Sequence, residues 1–151
     1  MAVVHRFLGL TQNKGVLKGS TVRQRKPPRW PLFLAIALVI VAVLPWRSFQ
    51  DHPHWGKVGW IPFVSPPVRL GDMVRNFVLF APLGATISLR VRSHPIATAA
   101  ASAFLLSFAA ETVQLYSHSR FPSATDLTMD VVGAVAAAII VKLAIQRREL
   151  Q

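Results

Sequence analysis

The sequence predicts an all-α polytopic membrane protein, a four-helix transmembrane bundle with both termini cytoplasmic, and three observations carry that expectation. Apolar residues are gathered into four long blocks, charged residues make up only 15% of the chain, and the basic residues are divided unevenly between the blocks. An ordinary soluble domain carries roughly 25% charged residues, and the mean hydropathy here is +0.43. A soluble bundle would show polar faces at helical spacing, and residues 32–44 show none.

The spans are expected at about 30–46, 73–91, 95–116 and 125–145. Crossing a bilayer takes about 20 residues at 1.5 Å each, so the third and fourth blocks are long enough and the first two draw on their flanks. Trp30 and Trp46 bracket the first as interface anchors. With 151 residues the chain forms one small bundle, 30–146, preceded by a basic arm, 1–29. No small-x-small cleavage site follows Leu44, so the first block reads as an uncleaved span.

Topology follows from charge. Twelve of the 17 Lys and Arg fall in the arm (Arg6, Lys14, Lys18, Arg23, Arg25, Lys26, Arg29), between spans two and three (Arg90, Arg92) or at the carboxyl end (Lys142, Arg147, Arg148). Arg47, Lys57, Arg69, Arg75 and Arg120 make five on the other side, which places both termini inside. The formal charge of +11 is met by anionic lipid of the inner leaflet rather than by nucleic acid. Membrane lipids are therefore the expected partners.

Cysteine is absent, which excludes disulfides and thiolate chemistry. Phosphate-binding loops, dinucleotide fingerprints, HExxH and internal repeats are also missing, and no cofactor is called for. His52 and His54 beside Asp51 offer too few ligands for a metal and read as a polar loop end. The loop 47–72 holds Trp55, Trp60, Ile61-Pro62-Phe63 and Pro66-Pro67, the composition of a segment lying at headgroup depth over the mouth of the bundle. It reads either as a connector pinned by its indoles or as a lid.

Acidic residues inside apolar blocks are costly and so mark where function is to be sought. In the third span Ser107, Glu111, Gln114 and His118 follow helical spacing along one stripe, continued by Ala99, Ala100 and Ala103. In the fourth, Asp126 and Asp130 are four apart and lead to Gly133 and Ala137. The second contributes Asp72 and Asn76, then Pro82 and Gly84, where the helix is expected to kink or start afresh. Counting residues from the ends sets Asn76, Glu111 and Asp130 in one layer near the outer face. Ser123 is the expected N-cap of the fourth helix, with Asp126 three residues on as its capping acid. Arg120, in the short loop before it, is the expected cation for these acids, with Arg75 as the alternative.

The order Ile61-Pro62-Phe63, Asp72-x3-Asn76, Phe80-x-Pro82-x-Gly84, Glu111-x2-Gln114, Arg120, Asp126 and Gly133 resembles the VanZ-like family of small bacterial membrane proteins, over roughly residues 55–145. Asp130 departs from it, since the family usually carries Asn there. Either Asp130 holds a proton in its apolar surroundings or Arg120 compensates it. The resemblance implies a location in the bacterial cytoplasmic membrane and a link to low-level teicoplanin resistance, without a settled reaction. Two functions follow as expectations. One is a non-enzymatic accessory factor that binds an envelope lipid or another membrane protein, alone or as a homo-oligomer, through Asn76, Glu111, Gln114, Arg120, Asp126 and Asp130. The other is an enzyme acting on a lipid-linked headgroup, with Glu111 as acid or base and Arg120 holding an anion.

Overall fold

The computed structural model describes residues 28–43, 49–64 and 69–151. Most of the basic arm, Trp46 and the Pro66-Pro67 pair lie outside the described residues. The architecture is all-α, with four helices: α1 Trp30–Val43, α2 Leu70–Arg90, α3 Pro95–Gln114 and α4 Ala124–Glu149. A single 3-10 turn, Trp55–Lys57, interrupts the long loop between α1 and α2. Among the described residues, α3 and α4 are long and apolar enough to cross a membrane, and α1 is a shorter apolar helix.

Each helix has a local cause. Ser123 caps α4 by accepting the Thr125 N–H at 3.2 Å. Pro95 opens α3 at a position whose N–H has no intrahelical partner, and His94 before it turns the chain with φ of 51°. Leu70 starts α2 three residues before the expected boundary, and Asp72 and Arg75 pair across its first turns at 3.5 Å. The helix then runs unbroken through Pro82 rather than starting afresh there. The Thr86 hydroxyl donates to the Pro82 carbonyl at 2.9 Å. At the other end of the chain, α4 continues past Ile145 through residues that favour helix, ending at Glu149.

Packing is built from small residues. α4 packs against both α2 and α3, while α1 lies against α2. Ala99, Ala103, Ala134 and Ala138 are fully covered, together with Phe80. Without a hydrophobic drive between helices in lipid, close backbone approach and hydrogen bonds must hold such a bundle. The crossing of α2 and α4 shows both. A Cβ added to Gly84 would stand 1.9 Å from the Ala134 carbonyl oxygen, and one on Gly133 would stand 2.1 Å from that of Phe77. Further along the same seam the Ser88 hydroxyl donates to the Ala138 carbonyl at 3.0 Å. Large apolar side chains such as Phe33, Leu34, Leu105, Phe108 and Ile140 point outward. In water that surface would be a liability; against hydrocarbon it is the expected face.

Candidate functional site

The site lies at the end of the bundle where α1 and α3 finish and α2 and α4 begin. Burial along α3 recurs at Ala99, Ala103, Ser107, Ala110, Glu111 and Gln114, one stripe at helical spacing. Its last turn carries two polar side chains inward, and each ties a different helix. Gln114 donates from Nε2 to the Val43 carbonyl at 3.2 Å, closing the end of α1. Glu111 accepts the Ser123 N–H at 2.7 Å through Oε2, holding the start of α4. A carboxylate at a helix N-terminus is also favoured by the helix dipole.

This Glu111 bond changes the role expected of Asp126. In a capping box the acid three residues after the cap reaches back to the cap N–H. Here Glu111 of α3 occupies that N–H, and Asp126 instead faces Asn76 of α2 within side-chain hydrogen-bonding reach. One turn further in, Asp130 accepts the Ser107 hydroxyl at 2.7 Å through Oδ2. Its second oxygen, Oδ1, is buried without a hydrogen-bond partner among the described residues. The inward stripe of α4 runs through Asp130, Gly133, Ala134 and Ala138, so Ala138 takes the buried position expected of Ala137.

Two expectations about the cluster are corrected. His118 is exposed, because α3 ends at Gln114 and the chain turns away; a side-chain bridge through Gln50 links it to His54. Arg120 makes no ion pair with an acid among the described residues. Its guanidinium donates to the Ala42 carbonyl at 3.1 Å, at the C-terminal end of α1, where a cation is favoured by the dipole and by unpaired carbonyls. Arg75, the alternative partner, is held by Asp72.

Asn76, Glu111, Gln114, Arg120, Asp126 and Asp130 nevertheless line one cavity of about 320 Å³. Arg69, Ser119 and Thr125 also line it and were not expected from the sequence; only their nearness to Asp72 and Ser123 in the chain hinted at it. A second, apolar groove of about 430 Å³ lies between α3, the start of α4 and the loop, lined by Trp55, Trp60, Phe108, Leu115 and Leu127. Glu111 and Ser123 line both spaces, so their hydrogen bond is a shared wall.

The loop 49–64 covers this end. Gln50 N–H donates to Tyr116 O at 2.8 Å, His54 N–H to Leu115 O at 2.9 Å and Gly59 N–H to Pro122 O at 2.9 Å, while Gly59 O accepts Ala124 N–H at 2.8 Å. Phe63 sits at φ of 63°, unusual for a bulky residue, and its N–H donates to Thr125 Oγ1 at 2.8 Å. Trp55 and Trp60 stack with their ring planes within 1° of parallel. Partial burial, with Lys57, His52 and His118 nearby, lowers the pKa of His54 from its ordinary value.

The model of the VanZ/LLP1 family matches the chain over residues 7–145. The chain belongs to the VanZ/LLP1 family. No curated protein and no solved structure matches it. The match takes in α1 and much of the arm, beyond the stretch that carries the resemblance in sequence. For this VanZ-like membrane protein the site offers carboxylates, amides and guanidiniums. Among the described residues no group of three His, Asp or Glu converges as a metal site. Such a set can bind a polar ligand of mixed charge, or move a proton on one.

Proposed function

We propose that this VanZ-like protein is a non-enzymatic envelope factor that binds the headgroup of an outer-leaflet lipid in the polar cavity, and thereby alters access of glycopeptides such as teicoplanin to the cell surface. The observation that carries the reading is the wall shared by two unlike spaces. A polar cavity and an apolar groove, both bounded by Glu111 and Ser123, suit the two ends of one amphiphile, the chain of the lipid lying along the groove. The division of basic residues, 12 to five, supports four spans with both termini cytoplasmic, which turns the cavity outward.

Binding is preferred over catalysis because Glu111, the candidate acid or base, is spent on structure, as are some of the groups around it. Glu111 holds α4, Gln114 and Arg120 close α1, and Ser107 fixes Asp130. The enzymatic alternative draws on one observation, an Asp130 Oδ1 without a hydrogen-bond partner among the described residues, in the cavity that Glu111 also lines. A proton-transfer role contributes about 100-fold or more to turnover and is lost in Glu111→Gln, whereas the amide still accepts the Ser123 N–H. Teicoplanin susceptibility is to be measured in cells producing equal amounts of wild type and Glu111→Gln. Retained activity in the Gln form supports the binding role; complete loss at normal protein level and normal detergent stability would establish the enzyme instead.

A further inference from the structure

Charge is layered through the polar cavity. Asp130 and Glu111 are 3% and 9% exposed, whereas Arg69 and Arg75 are exposed and Arg120 is half-buried. The deepest charges are thus carboxylates and every guanidinium lies toward the rim, with Asp126 half-buried and Asp72 half-exposed between them. On the floor, Ser107 serves one oxygen of Asp130, and among the described residues nothing serves the other. A buried carboxyl oxygen without a partner is costly, and a ligand cation beside Asp126 and Glu111 answers it in place of the proton that Asp130 otherwise holds. At the rim Arg75 gives one nitrogen to the half-exposed Asp72 and Arg120 gives one to Ala42, so Arg69 and the rest of the Arg120 fork are placed to meet an anion, with Arg75 beside them.

Resting on the lipid-binding reading, we propose that the cavity recognises a zwitterionic headgroup, with a terminal ammonium donating to Asp130 Oδ1 at the floor and a phosphate at the Arg120 and Arg69 rim. The order of charges is the covalent order of such a lipid. The ammonium is the distal group and enters first; the phosphate follows and leaves the glycerol and its chains at the mouth, where they reach the membrane and the apolar groove. A headgroup bearing only negative charge would leave Asp130 unanswered and bring its phosphate no closer to a cation. A quaternary ammonium would supply the charge without an N–H.

The test is native mass spectrometry of the protein released from nanodiscs made of equal parts phosphatidylethanolamine, phosphatidylglycerol and phosphatidylcholine. The wild type should retain the ethanolamine lipid about tenfold over each of the others, the ratio expected of one charge-assisted hydrogen bond. In Asp130→Asn the amide oxygen can keep the Ser107 bond and its NH2 then faces the cavity, so the preference should fall to about twofold or less. A wild type that retains all three lipids equally, or an Asp130→Asn form that keeps the tenfold preference, overturns the ammonium assignment. Equal retention that is still lost in Arg120→Gln overturns that assignment alone and leaves the lipid site standing. A wild type that retains no lipid overturns both. The comparison of the ethanolamine and choline lipids uses the wild type only, so the proposal stays testable if Asp130→Asn fails to fold.

Discussion

Replacing Gly133 by alanine puts a methyl group where there is no room for one. Its Cβ would stand 2.1 Å from the Phe77 carbonyl oxygen, about 1 Å inside the closest approach that real Cβ atoms make. The obstacle is backbone, so relief requires α2 and α4 to part by about 1 Å. The hydrogen bond from Ser88 to Ala138, now 3.0 Å, would stretch to about 4 Å and cease to be one. Overpacking costs about 1–3 kcal/mol and the lost bond about 1 kcal/mol, while the better helix propensity of alanine returns about 1 kcal/mol. The net destabilisation is about 1–3 kcal/mol, a fall of roughly 2–12 °C in the detergent melting temperature for a chain of this size. Gly71→Ala is the control. Gly71 has nothing within 4 Å of an added Cβ and lies in the exposed first turn of α2, so its melting temperature should stay level or rise. If Gly133→Ala melts with the wild type, the close crossing of α2 and α4 is wrong.

Three further outcomes are expected. Ser107→Ala removes the donor to Asp130 and should destabilise the protein by about 2 kcal/mol; combining it with Asp130→Leu should recover part of that, and additive losses in the melting experiment would contradict the pairing. Because the His54 pKa is lowered in the folded protein, the contribution of His54 to holding the loop is full above its ordinary value of 6.5 and is lost as pH falls through the folded value. Protease cleavage within 49–64 should therefore rise between pH 7.5 and pH 5 in the wild type and stay flat in His54→Gln, and a flat wild type would refute the linkage. An impermeant maleimide on intact cells should label Ser65→Cys and spare Ser20→Cys, since the basic residues divide 12 to five in that sense; the reverse pattern would overturn the topology.

The four helices were legible because lipid-facing sequence is written in long apolar blocks, and the inward stripe of α3 because Ser107, Glu111 and Gln114 keep helical spacing. His118 keeps that spacing too, but spacing says nothing of where a helix stops, and α3 stops four residues earlier. The partners of the polar groups were less legible. Arg120 is a cation near acids in the chain, and a charge-pairing argument sends it to them; the open carbonyls at the end of α1 compete for it and are nearly eighty residues away in sequence. Likewise the sequence around Ser123 reads as a complete capping box, and nothing local reveals that Glu111 from another helix takes the cap N–H. The pairing of Gly59 with Ser123 and of Phe49 with Ser117 has no periodic signature at all. Long-range backbone bonds of a loop leave no pattern for a local reading to find.

Counting bound lipid is the direct test of a headgroup held in the cavity by Asp130, Arg69 and Arg120. Wild-type protein and the variants Arg69→Gln and Arg120→Gln, all extracted from native membranes in mild detergent, are to be compared by native mass spectrometry, with detergent melting as the check on folding. The expected result is lipid retained on the wild type and a loss of about tenfold or more in each variant, since each removes a charge-assisted contact to the phosphate. Retained lipid at the same level in all three proteins would contradict it.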